Sequence, residues 1–161
     1  MDLIERAQEW LARTRDARKV EAFGGTRLTA LDDATRDGVL GSFLPVLRGL
    51  ASEGSAKLLH VNTSPEVIEF VNSHHLETLA ALGTSCPDHF LRTKIRPLVV
   101  PESVYQLQGD ELKARLGQLI ADYRADYKAY HERCKRPTSP PVRDANPVVV
   151  LLPRIGMIED R

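Results

Sequence analysis

Ala56-Lys57-Leu58-Leu59-His60-Val61-Asn62-Thr63-Ser64-Pro65-Glu66-Val67-Ile68-Glu69-Phe70-Val71 is the stretch that decides the fold class. Its first six residues read as a strand, apolar enough to be central and parallel. Asn62 to Glu66 then makes a turn, with Ser64 placed to cap a helix and Pro65 at its first position, where a missing N–H costs nothing. Val67, Ile68, Phe70 and Val71 form the buried side of that helix. A strand, a short turn and a helix in this order form the junction that lines ligand clefts in open α/β sheets.

Upstream, Asp32 or Asp33 caps a helix expected to reach about Ser52, with Leu40, Phe43, Leu44, Leu47 and Leu50 on its buried face and Glu53-Gly54-Ser55 ending it. Pro45 removes one helical hydrogen bond, which predicts a kink or two shorter helices meeting near Gly41-Ser42. Gly24-Gly25 reads as a turn between short extended pieces at 20–23 and 26–28. Before it, Leu3, Ile4, Ala7, Trp10 and Leu11 recur at helical spacing between Asp2 and Arg15. They predict an amphipathic helix with Trp10 as its core anchor.

Downstream, His74-His75 precede a short helix ending at Gly83. Adjacent helical residues point about 100° apart, so the two imidazoles make a poor chelate, and a solvated cap is the simpler reading. Leu98-Val99-Val100 is a second strand, entered through Pro97. Glu111 to about Arg136 is the longest helix, its stripe running Leu112, Leu116, Leu119, Ile120, Tyr123, Tyr127 and Tyr130. The three tyrosines predict a partly wet packing face with satisfied hydroxyls. Lys135, Arg136 and Arg143 around Pro137, Pro140 and Pro141 make a charged loop that reads as mobile or partner-facing. Pro147 to Leu152 is a third, interior strand. Alternating strands and helices predict one domain over 1–161: α/β, three layers, a small and mostly parallel sheet flanked by helices. The carboxyl ends of its strands would gather 62–64, the turn after Val100 and 154–156 along one rim, where ligands are expected.

Between the short helix and the second strand lies Gly83-Thr84-Ser85-Cys86-Pro87-Asp88-His89-Phe90-Leu91-Arg92-Thr93-Lys94, unusually dense in polar groups. If a helix starts at Pro87, the preceding N–H groups can face an anion, with Arg92 as a bidentate fork and Lys94 as a point charge. Thr84, Ser85, Asp88, His89, Arg92 and Lys94 are therefore the candidate anion- or substrate-binding residues. The bland alternative is a capped helix start, with Thr84 or Ser85 as cap and Asp88 paired to Arg92. His60 and His89 can both titrate near neutral pH if they share a cleft. Adjacent Asp88 and His89 seldom reach one spot, and no nucleophile is visibly paired with a base, so no catalytic residue is assigned.

Composition narrows the function classes. Twenty-two basic and 22 acidic side chains balance, which leaves no charge argument for nucleic acid or a membrane surface. No apolar run nears the roughly 20 residues of a membrane span, and the charged start is no signal peptide. Cys86 and Cys134, 48 positions apart, make no metal-type pair, so no metal site is assigned. Reduced cysteines fit a cytoplasmic location.

The run GTSCPDHFLRTKIRPLVV resembles a segment of the bifunctional rhamnulose-1-phosphate aldolase/alcohol dehydrogenase proteins. There it lies between a class II aldolase-like zinc domain and a short-chain dehydrogenase domain. DLIERAQEWLA, LLHVNTSPEVIEFVNS, DYRADYKAYHERCKRP and NPVVVLLP resemble the same connecting region, so the likeness covers nearly the whole chain. It implies a lyase and oxidoreductase parent in rhamnose (carbohydrate) metabolism, with zinc and NAD held by flanking domains and no cofactor in this chain. The chain departs from the family at Arg154, where a glycine is usual. It also lacks the zinc histidine pair and the glycine-rich nucleotide loop. The resemblance therefore implies a non-catalytic middle domain, a fragment of a longer enzyme, binding a phosphorylated sugar or docking the flanking catalytic domains. Either role leaves room for an oligomer. The alternatives are an interaction or linker module that docks the flanking catalytic domains, or an isolated lyase-type fragment.

Overall fold

The computed structural model describes residues 2–52, 56–142 and 144–160. Chain order is α1 (Leu3–Arg18), α2 (Asp33–Ala51), β1 (Leu59–Asn62), α3 (Pro65–Val71), α4 (Leu76–Leu82), α5 (Pro87–Thr93), β2 (Leu98–Val99), α6 (Gly109–Cys134), β3 (Val149–Leu152) and β4 (Gly156–Asp160). Short 3₁₀ turns occupy Ala22–Gly24 and Glu102–Gln106. The expected α/β class with a small flanked sheet is what the chain adopts.

The four strands lie in the order β1-β4-β3-β2. β2 pairs with β3 in parallel, whereas β4 runs antiparallel to both β1 and β3. Thus β1, β2 and β3 all point the same way, and β4 is inserted against them. The sheet is mixed, with one parallel and two antiparallel pairs, rather than mostly parallel. β1 is an edge strand, not a central one. The reason is local: Pro153-Arg154-Ile155 closes a hairpin, with Leu152 opposite Gly156 and the Ile155 N–H donating to Leu152 O at 3.0 Å. That return strand lies between β3 and β1 and leaves β1 at the edge.

Alternation along the strands sorts the core into two layers. Val150, Leu152 and Ile158 pack with Leu98 and Val100 against Phe43 and Leu47 of α2 and Leu112, Leu116 and Ile120 of α6. Val149, Leu151 and Met157 turn to the other face, where α3 and α4 supply Val67, Phe70, Val71, Leu76 and Ala80. The first face is covered by helices of 19 and 26 residues, the second by helices of seven. Pro45 is accommodated within α2, which is one helix from Asp33 to Ala51 instead of two. Its N-terminus is capped as expected, by Asp32 Oδ1 accepting the Thr35 N–H at 2.9 Å. The residues expected to end it, 53–55, lie outside the described residues.

Three further expectations change. None of α1 is buried, and Trp10 is 59% exposed, so it anchors no core within this chain. The apolar spacing was real, but among the described residues no other element covers the helix. Residues 20–28 are not two extended pieces: the 3₁₀ turn at 22–24 leads to a single bridge between Thr26 and Ser73. Gly25 O and Phe23 O accept the N–H groups of His74 and His75 at 3.0 and 3.2 Å, which ties the diglycine turn to the start of α4.

Candidate functional site

The carboxyl-end rim forms where the sequence places it, because β1, β2 and β3 share a direction. It is filled by the chain itself. Asn72, nearly fully buried, accepts the N–H groups of Arg27 and Leu28 on its carbonyl and that of Arg154 on Oδ1 at 2.7 Å. Arg154 O accepts from Leu31 N at 2.9 Å, and its Nε donates to Thr29 O at 2.9 Å. Tyr105 Oη donates to Pro153 O at 3.1 Å, and burial holds its pKa far above the ordinary phenol value.

The polar stretch 83–94 lies elsewhere. It crosses the second sheet face and meets the segments that lead into β2 and β3, at the amino ends of the three co-directed strands. Here the structure forms a cavity of about 340 Å³. Its floor is Val149, Leu151 and Met157, its α3 wall Val67 and Phe70, and its mouth carries Thr84, Thr93, the Lys94 stem and Arg96. Gly83 makes the crossing possible. Its φ is 83°, and any β-carbon there would collide with the Ile95 carbonyl.

Of the six residues singled out, Thr84 and Lys94 line the cavity; Ser85, Asp88, His89 and Arg92 do not. α5 does begin at Pro87 with Asp88 in its first turn, but its cap position is Cys86, with no side-chain cap bond from Thr84 or Ser85. Asp88, His89 and Arg92 stand on the exposed surface of α5, and Asp88 forms no ion pair with Arg92. His60 is exposed on β1 and lines no cavity shared with His89.

Lys94 has a role that spacing did not reveal. It follows α5 in a left-handed conformation, φ 63°. Its ammonium donates to Asp144 O at 2.8 Å and to Asn146 O, and lies 4.7 Å from the centre of the Tyr127 ring. Burial pulls its pKa down, opposed by the Asp144 carboxylate. Asn146 is 6% exposed; its Oδ1 accepts from Arg124 Nε at 2.7 Å and its Nδ2 donates to Ala51 O at 3.2 Å. Lys57 completes the cluster, 3.1 Å from Asp144 and 2.8 Å from Asp160, whose side chain is 5% exposed. The loop read as mobile or partner-facing is exposed from Lys135 to Pro141, and Arg143 lies outside the described residues; Asp144 to Asn146, which follow it, are fastened from three sides. The tyrosine stripe is likewise taken up as packing, with Tyr123 Oη donating to Arg96 O at 2.8 Å and Tyr130 edge-on to Phe90 at 6.2 Å.

The carboxylate of Asp144 gives this cluster a pH signature. Burial alone would raise its pKa, but the Asn146 N–H, Lys57 and Lys94 together outweigh it and hold the pKa below 3.8. A depressed folded-state value adds stability above the unfolded-state pKa, which is lost as pH falls through the folded value. Urea midpoints measured downward from pH 5 should therefore drop, and Asp144→Asn should flatten the drop; an unchanged acid slope in the variant would contradict the assignment.

Among the described residues no group of three His, Cys, Asp or Glu side chains is arranged to hold a metal, so the donor set does not fit the zinc that the resemblance implies for its parent. Among the described residues no helix is long and apolar enough to cross a membrane. Compared with known proteins, the chain is similar over 138 residues, at 31% identity, to the "Uncharacterized oxidoreductase YuxG" of Bacillus subtilis (strain 168). That match takes in 86% of this chain and 20% of the relative, so the chain spans about a fifth of the relative's length. No solved structure matches it. The family described as "Aldolase class II, second domain" matches residues 39–159, from the middle of α2 through β4, and the chain belongs to that family.

Proposed function

We propose that this chain is a non-catalytic accessory domain of a class II aldolase-type carbohydrate enzyme. Its α5 surface receives the phosphate of a phosphorylated sugar for neighbouring catalytic domains. The family and the oxidoreductase name of a relative several times longer support the setting. The finer reading is a cytoplasmic rhamnulose-1-phosphate aldolase/short-chain dehydrogenase parent, with zinc and NAD on the flanking domains; it rests on the resemblance of the 83–94 segment.

The observation that carries the anion reading is the division of labour between the two cations of the segment. Lys94 fixes the loop before β3, while Arg92, a five-donor guanidinium, stands exposed on α5, one turn beyond Asp88 and His89. Arg92, with the Thr84 and Ser85 hydroxyls nearby in sequence, is the group that meets the phosphate. Titration calorimetry with a ketose phosphate should show binding that Arg92→Ala weakens about tenfold or more, the worth of a charge-assisted hydrogen bond. Identical isotherms for the two proteins would remove the anion role. A docking module for the flanking domains would then be left, a reading already favoured by the use of Lys94 as an internal clamp.

A further inference from the structure

We draw no further inference here: the strongest candidate, the apolar cavity of about 340 Å³ between α3, α4 and the sheet face of Val149, Leu151 and Met157, carries none, because nothing in the structure shows what covers it.

Discussion

Gly156→Ala is expected to lower the unfolding free energy by at least about 3 kcal/mol, the range of substitutions that strain a special backbone position and force a backbone clash together. Gly156 sits where β4 leaves the hairpin, at φ 144°, a conformation closed to residues with a β-carbon. A methyl group there would stand 2.5 Å from Asn62 O and 3.3 Å from Thr63 Cγ2. Neither neighbour can retreat cheaply. Asn62 closes β1 opposite Met157, and its Oδ1 holds the Ser64 N–H at 2.9 Å, which sets the entry into α3. The strain thus reaches both the β1–β4 pairing and the turn that launches the second helical layer. Urea denaturation followed by far-ultraviolet circular dichroism should show a midpoint loss in this range. The control is Gly38→Ala in α2, where a β-carbon meets nothing within 4 Å, so it should be neutral or slightly stabilising. Equal effects at the two glycines would mean that the close approach at β1 is not what constrains position 156.

The same junction explains how far the sequence could be read. Long periodic segments were legible: of the leucines that helical spacing selects, α2 and α6 bury Leu40, Leu47, Leu112 and Leu116 and half-bury Leu44, Leu50 and Leu119, and Pro65 and Pro87 start α3 and α5. β4 was missed because Gly-Met-Ile-Glu-Asp follows a proline and an arginine, carries two acids and has no β-branched run. Its strand character comes from the hairpin, through the left-handed Arg154 (φ 67°) that the resemblance marked as a glycine position. Missing one inserted strand left the directions of β1, β2 and β3 right but made a central strand of β1, which is an edge. For α1 the pattern was read correctly and the burial was not, because periodicity reports that a face wants cover and says nothing about which molecule supplies it. At the candidate site, residue type identified a dense polar stretch, but which cation faces inward depends on the backbone turn after α5. Lys94 and Arg92 differ there by two positions and by nearly everything else.

That difference yields the second large effect. Lys94→Met keeps the volume of the stem over Tyr127 and deletes the donors. The carbonyls of Asp144 and Asn146 then lose their partner at the edge of a core that offers no substitute. An unsatisfied buried acceptor costs about 1–3 kcal/mol, and two half-buried ones with some access to water should together cost about 2–4 kcal/mol. The loop before β3 should loosen first. Hydrogen exchange is therefore expected to quicken at Asn146, whose N–H is held by Asp144 Oδ1 at 2.8 Å, and along Val149 to Leu151 before the rest of the sheet. Arg92→Met, two residues earlier and exposed, should stay within about 0.5 kcal/mol of the parent, as surface substitutions do. The pair of measurements separates architecture from recognition within one segment. If Lys94→Met leaves both the denaturation midpoint and the exchange of Asn146 unchanged, the ammonium is not the clamp. Should it instead unfold the loop while phosphate binding survives, the positive charge that recognises an anion belongs to Arg92 alone.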